Sequence, residues 1–246
     1  MERVGGWTLE RQKVCDSSNS ELLRRAATLA DRHALVVDNQ LRGRGRQGRR
    51  WLASGSHLCL SLFRRLPLAP GRLGGLSLAV GIGVARTLHR LGAAEVGLKW
   101  PNDLLARGAK LGGILIEFAR ADTSCSEVVI GIGLNLRLPA GFDPGQPAID
   151  LDRLGLGIER EALLSALLPE LDEVLERFCA EGFAPFLPEW ERLDLLRGKE
   201  VELAGAPGRR GTVLGVAEDG SLRLADAAGV FTVSAGEPVL RPACSR

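Results

Sequence analysis

The chain has 246 residues, enough for one large domain or for a large one and a small one. Its 32 basic and 30 acidic side chains leave a net charge of only +2, which argues against a general polyanion binder with basic charge spread over a whole domain. Five scattered cysteines without a C-x-x-C pair (Cys15, Cys59, Cys125, Cys179 and Cys244) read as reduced thiols in a cytoplasmic protein without a zinc site. The opening "MERVGGWTLERQKVC" is too polar for a signal peptide, and the apolar run 73–85 is short of the roughly 20 residues a bilayer span needs, so no membrane is expected.

In chain order, "SELLRRAATLAD" (20–31) reads as a helix capped by Ser20, with Leu22, Leu23, Ala26 and Leu29 at helical spacing. "ALVVD" reads as a strand leading into "LRGRGRQGRRW" (41–51), and "HLCLSLF" (57–63) as the next strand. The stretch 71–92 reads as a mostly buried helix whose glycines allow close packing. "VGLKW", "KLGGILIEFA" and "EVVIGIGLN" carry sheet signals, rich in Val and Ile and broken by Gly, Pro and Asn. A mobile Pro/Gly-rich loop is expected at 137–158. The next helix, 159–182, carries Leu163, Leu167, Leu171, Val174, Leu175 and Phe178 on one side, and Pro169 should kink or divide it. From about Gly198, short alternating strands separated by "APG", "EDG" and "DAAG" read as a small all-β unit of SH3 size.

The arginine loop raises the question of its ligand. Gly43, Gly45 and Gly48 satisfy G-x-G-x-x-G, but no helix follows to present its N-terminus to a pyrophosphate, so the dinucleotide reading fails on context. What remains is a backbone able to fold tightly over a small ligand, carrying guanidinium groups whose paired donors suit carboxylate and phosphate oxygens. A solvated charged loop is the bland alternative. "KWPNDLL" adds Lys99, Asn102 and Asp103 on an elbow fixed by Pro101. In "KLGGILIE" Lys110 precedes a strand where Gly112 and Gly113 leave room against the backbone, and "GIGLNL" repeats that pattern and ends in Asn135.

"DSSN", "GRGRQGRRW", "KWPNDLL", "KLGGILIE" and "GIGLNL", in this order, resemble the signature set of the biotin protein ligases in their short form, without an N-terminal DNA-binding domain. The resemblance runs from about Asp16 to Asn135 and continues into a small C-terminal β-barrel. It implies an α+β fold: a mixed-sheet catalytic domain of the class II aminoacyl-tRNA synthetase-like, biotin/lipoate ligase type at 1–195, and an SH3-like barrel at 196–246. It implies ATP and Mg2+ as cofactors, biotin as substrate, biotinoyl-adenylate as intermediate and a biotin carboxyl carrier protein as acceptor. Homodimers are common in the family, and with some fifteen residues before Asp16 no nucleic-acid role is expected.

The resemblance also implies roles. Arg44 and Arg46 would hold the carboxylate, the α-phosphate and the adenylate, within a loop shaped by Gly43 and Gly45. Lys110 would contact the reacting oxygens, with Lys99 and Asn102 nearby. Ser17, Ser18, Asn19 and Gln40 would meet the ureido ring, and Gly112, Gly113, Ile114, Leu115, Gly131 and Gly133 would wall the bicyclic ring. Asp103 and Asn135 are the candidate Mg2+ ligands, Asp103 being alternatively a base for the acceptor lysine. Trp51, closing the loop, would stack on the ligand or simply pack, core packing beside the apolar strand being the expectation for a single Trp; Glu237 and Arg241 would reach the nucleotide from the barrel, and His57 reads as solvated or capping. Ser18 stands where the family commonly has Thr, and "LASGSHLCLS" is shorter than the usual turn. The competing readings are a lipoate or other acyl ligase of the same fold, and a non-catalytic RNA or phosphate-binding module. The latter is disfavoured by the mixed charge of the barrel strands and their lack of Trp and Tyr.

Overall fold

The computed structural model describes residues 2–51, 56–141, 143–204, 209–234 and 236–240. The chain opens with a hairpin, β1 (Glu2–Val4) and β2 (Trp7–Cys15), turned by Gly5 and Gly6, both at positive φ. The helix α1 (Ser18–Arg25) then returns the chain to β3 (His33–Gln40), which runs parallel to β2. This helix begins and ends earlier than its periodicity predicts. Ser17, extended at φ −155°, is its N-cap, and the helix gives way to a 3-10 turn at Ala26–Thr28.

Next come β4 (Ser56–Leu66), α2 (Leu76–Arg90), β5 (Gly97–Lys99), β6 (Asp103–Ala106), β7 (Ala109–Ala121) and β8 (Ser126–Arg137). The first eight strands make one mixed sheet in the order β1-β2-β3-β4-β8-β7-β6-β5, in which only the β2–β3 pair is parallel. Both faces are covered, and the alternation along a strand records it. Ala34 and Val36 of β3 join the large core with α2, while Leu35 and Val37 join a smaller core with Leu22, Ala26 and Leu29.

The large core also takes α3 (Arg160–Glu181), whose Leu163, Leu167, Leu171, Val174, Leu175 and Phe178 are all buried. Pro169 does not divide this helix. Its ring packs where Gly5 lacks a side chain, a Cβ there lying 2.6 Å from the ring, and the neighbouring Leu168 carbonyl accepts a bond of 3.0 Å from the Trp7 indole N–H.

A short α4 (Leu187–Leu193) leads to β9 (Glu200–Ala204), β10 (Arg210–Val216), β11 (Leu222–Asp226), β12 (Gly229–Val233) and β13 (Glu237–Leu240). These form an antiparallel sheet in the order β12-β11-β10-β9-β13, open between its end strands among the described residues. Its buried Val201, Leu203, Val213, Val216, Leu222, Leu224 and Val233 are continuous with the large core. Among the described residues no helix is long and apolar enough to cross a membrane. The stretch 52–55, Arg241 and Cys244 lie outside the described residues, and the other four cysteines are free thiols.

Candidate functional site

The sheet register brings small and polar residues of three strands into rows on the face covered by α1. Ser61 of β4 pairs with Gly131 of β8, which pairs with Leu115 of β7; one step along, Cys59, Gly133 and Gly113 form the next row. Glycine at 131 and 133 leaves the floor open for side chains from elsewhere. A Cβ on Gly131 would collide with the Asn19 side chain, and one on Gly133 would lie 2.7 Å from the Trp51 ring. The wall expected from the glycines is therefore already faced by Asn19 and Trp51. Above this floor lies a cavity of about 610 Å³, reached by Ser17, Ser18, Asn19, Gln40, Arg44, Gly45, Arg46, Trp51, Asn102, Asp103, Lys110, Gly113, Ile114, Leu115, Gly131 and Gly133.

One end of the cavity is a neutral hydrogen-bond network. The Ser61 hydroxyl donates to Asn19 Oδ1 at 2.6 Å and lies 2.7 Å from the Ser18 hydroxyl, while Gln40 Oε1 accepts from the Ser18 backbone N–H at 2.7 Å and lies 3.1 Å from its hydroxyl. Asn19 Nδ2 donates to Glu117 Oε2 at 2.9 Å and to the Leu115 carbonyl at 3.2 Å. Ser18, Asn19 and Ser61 are all buried, so each group's orientation is set before anything binds. Ser17 spends its hydroxyl on capping α1.

The other end is cationic: Arg44, Arg46, Arg49, Arg50 and Lys110 line it, with Asp103 as the one carboxylate among the lining residues. The arginine stretch is a tight hairpin-like loop. Trp51 N–H donates to the Gly43 carbonyl at 2.9 Å, Gly45 N–H to the Arg49 carbonyl at 2.7 Å, and Arg44 bridges Arg50. Gln47 and Gly48 take positive φ, 55° and 73°, to turn the tip. Arg44 forms an ion pair with Glu117, and Arg46 Nη1 donates to Asn102 Oδ1 at 3.4 Å. Lys110 Nζ stands 2.6 Å from Asp103 Oδ1. Asn102 is fixed to β7 by two bonds, Ile114 N–H to its carbonyl at 2.9 Å and its Nδ2 to the Ile114 carbonyl at 2.7 Å.

Four expected site residues do not line this cavity. Lys99 lies on β5, two strands out from β7, and faces a recess with Ser77, Leu78 and Trp190. Gly43 closes the base of the arginine loop, where a Cβ would be 2.5 Å from the Trp51 carbonyl, and Gly112 allows β7 to approach β8, where a Cβ would be 2.5 Å from the Gly133 carbonyl. Asn135 opens only on a small side recess, and its Nδ2 donates to the carbonyls of Lys110 and Ile149 at 3.2 and 3.0 Å. Asn135 is thereby a clamp for the 147–151 segment. With Asp103 paired to Lys110, the two residues do not form a set fit to hold Mg2+. Among the described residues there is no group of three or more His, Cys, Asp or Glu placed to bind a metal.

Sequence reasoning missed several participants. Ser61 carried a usable signal, being a lone hydroxyl inside the apolar alternation of "HLCLSLF". Glu117 was visible only as the end of a strand motif. Pro144, Gly145 and Gln146 line the cavity because the segment 143–153 is pinned beside it. Lys110 N–H donates to the Pro147 carbonyl, Ile149 N–H to the Lys110 carbonyl, and buried Asp150 accepts from the N–H groups of Leu138 and Arg153. His57 is not solvated; it is 3% exposed, edge-on to Trp51 with centroids 6.4 Å apart. Burial pushes the Cys59 thiol in the cavity floor up to about 11, so it stays protonated at neutral pH.

The chain's relatives share this architecture. The model of the biotin/lipoate A/B protein ligase family matches residues 11–135, and the chain belongs to that family. More narrowly, its relatives are biotin ligases by name. The biotin--[acetyl-CoA-carboxylase] ligase of Mycobacterium tuberculosis is 36% identical over 248 residues, covering 95% of this chain and 90% of the relative. The bifunctional ligase/repressor BirA of Escherichia coli is 38% identical over 204 residues, 82% of this chain; the match spans 64% of that longer relative, under two thirds of its length. A solved biotin protein ligase from Aquifex aeolicus, in complex with biotin and ATP, superposes with a TM-score of 0.82 at 29% identity, covering 95% of this chain and 98% of that one.

Proposed function

We propose that this protein is an ATP-dependent biotin protein ligase acting on the biotin carboxyl carrier domain of an acetyl-CoA carboxylase. The observation that carries the reading is the division of one cavity into a preset neutral network at Ser18, Asn19, Gln40 and Ser61 and a cationic end at Arg44, Arg46 and Lys110. The neutral end offers hydroxyl and amide groups in fixed orientation to a ureido ring. The cationic end suits a carboxylate meeting the triphosphate of ATP, supplied as its magnesium complex.

In the first step a carboxylate oxygen attacks the α-phosphorus and the bond to the β-phosphate oxygen breaks. This gives biotinoyl-adenylate and pyrophosphate. Both reactants are anionic, so cations already in place remove the repulsion that would otherwise dominate the barrier. Arg44 and Arg46 act on the approaching anions, and Lys110, aimed by Asp103, on the reacting oxygens. In the second step a neutral carrier lysine attacks the acyl carbon, AMP leaves, and the lysine nitrogen loses a proton, for which Asp103 of the cavity lining is the candidate acceptor. Covering of the mixed anhydride by the arginine loop and residues 144–146 limits its hydrolysis.

The C-terminal strands act as an SH3-like barrel at 196–246 beside a catalytic domain at 1–195. Supporting this, the five strands are consecutive antiparallel neighbours apart from β13, and a bulge between Val213 and Gly215 bends β10. A cytoplasmic location follows from the ATP and carrier it would use. The test is pyrophosphate release from Mg-ATP with biotin or lipoate offered separately, without carrier. Release with biotin alone supports the reading, release with lipoate alone changes the substrate, and release with neither from folded protein overturns it.

A further inference from the structure

The cationic end of the cavity hangs on the elbow that joins β5 to β6, and that elbow reaches the C-terminal sheet. Asn102 accepts from Arg46, and Asp103 pairs with Lys110. Two residues before Asn102, Trp100 turns away from the cavity into the core, 2% exposed, and its indole N–H donates to the Gly220 carbonyl at 2.9 Å. Gly220 lies in the turn between β10 and β11, which is internally fixed. Gly220 N–H donates to the Ala217 carbonyl at 2.9 Å, Ala217 N–H to the Ser221 carbonyl at 2.8 Å, and Asp219 Oδ1 accepts from Ser221 N–H at 2.9 Å and from its hydroxyl at 2.6 Å. The turn sits directly on the start of α2, since a Cβ on Gly220 would be 2.5 Å from the Gly75 nitrogen and one on Gly74 would collide with the Asp219 carbonyl.

We propose that Trp100 is a positioning residue through which the 217–221 turn of the C-terminal sheet holds the Asn102–Asp103 elbow, and with it Arg46 and Lys110, in register with the cavity. The inference rests on the ligase reading for its consequence, though not for its mechanics. A tryptophan that served only as core filling would need the ring and not the indole N–H. Here the N–H is bonded to a carbonyl that is itself held by a closed turn, and the two glycines on either side permit backbone contact that no other residue type would allow. The neutral end, on α1, β4 and β8, has no such link to the C-terminal sheet in the bonds described. Loosening the tether should therefore disturb the cationic end alone. A displacement of the order of 1 Å at reacting groups costs up to about 100-fold in rate.

The experiment compares wild type with Trp100→Phe, which keeps a ring and removes the donor, and with Gly220→Ala, which pushes the turn off Gly75 from the other side. Amide hydrogen exchange is followed at 102–106 and 110 and, as internal control, at 18–25. The expected result is exchange at least several-fold faster at the elbow in both variants and unchanged on α1, with a folded melt. In the same variants biotin affinity without ATP should stay within twofold while the rate of pyrophosphate release falls about tenfold or more, and the double variant should be no slower than the worse single one. Unchanged exchange at the elbow overturns the tether, as does equal acceleration at the elbow and on α1. A wild type that releases no pyrophosphate refutes the ligase reading alone, because the exchange result still decides the tether.

Discussion

Lys110 Nζ lies 2.6 Å from Asp103 Oδ1, so the ammonium at the cationic end is aimed by a carboxylate on the neighbouring strand. The relation follows from register: β6 and β7 form a hairpin in which Asp103 pairs with Gly113, and a shift between Leu104 and Leu105 brings Lys110 alongside. Replacing Lys110 by Met keeps the stem and removes the charge. It should lower pyrophosphate release about 100- to 1000-fold, as loss of a preset charge-stabilising group does, with biotin binding far less affected. Single-turnover kinetics beside equilibrium binding would read the split, and equal loss in both would contradict the assignment.

Arg46 belongs to the loop that covers the cavity and is tied to Asn102. In Arg46→Gly the adenylate should escape and label lysines other than the carrier's. Mass spectrometry of a bystander protein incubated with the variant, biotin and ATP checks this, and normal retention with no stray labelling would exclude a clamp at this position.

Ser61 is fully buried and joins Ser18 to Asn19. Ser61→Ala leaves Asn19 Oδ1 without that donor, at a cost of about 1–2 kcal/mol in folding stability and a comparable loss in biotin binding. Denaturant unfolding and calorimetric titration measure the two. Gly131→Ala attacks the same network sterically, because the added methyl occupies the place of the Asn19 side chain, and should weaken biotin binding more than ATP binding.

Glu10 provides a pH signature away from the cavity. The Arg25 guanidinium, bonded to it at 2.8 and 3.0 Å, holds its carboxyl at about 2 against the opposing effect of burial, with Gln12 and His33 as further partners. A carboxyl with a lowered folded-state value stabilises the fold above its unfolded value of about 4.3, and that stability drains away as pH falls from there toward about 2. Glu10→Gln should cost about 2 kcal/mol at neutral pH and flatten the acid limb of the stability curve. Unfolding midpoints across that range test it, and an unchanged acid limb would remove Glu10 as its source.

The tether and the cavity show how differently the parts could be read from sequence. One-sided spacing of Leu, Val and Phe gave α3, a nearly continuous apolar run with glycines gave α2, and short apolar runs of Leu, Val, Ile and Phe gave β3, β4, β7 and β8, because burial writes itself into local sequence. The hairpin β1–β2 escaped, since its exposed positions carry charged residues and only Trp7 and Leu9 are buried. The start of α1 was misplaced because three serines compete for the cap and only the backbone of Ser17 is extended.

By itself the sequence determined the chemistry available: a glycine-spaced row of guanidinium groups, a lysine before a double glycine and short polar side chains ahead of a helix. These are properties of residue type and spacing, and they sufficed to indicate an anion-handling site; the ligase reading came from the resemblance of the five motifs to the biotin protein ligases. Only the tertiary structure decided who meets whom. Strand register placed Ser61, Gly131 and Leu115 in one row, put Glu117 between Arg44 and Asn19, and pinned 144–146 beside the cavity. It also moved Lys99 and Asn135 out of the cavity and joined Trp100 to Gly220, 120 residues away. Such contacts form between segments distant in the chain, where burial and hydrogen bonding are satisfied jointly, and no local pattern encodes them.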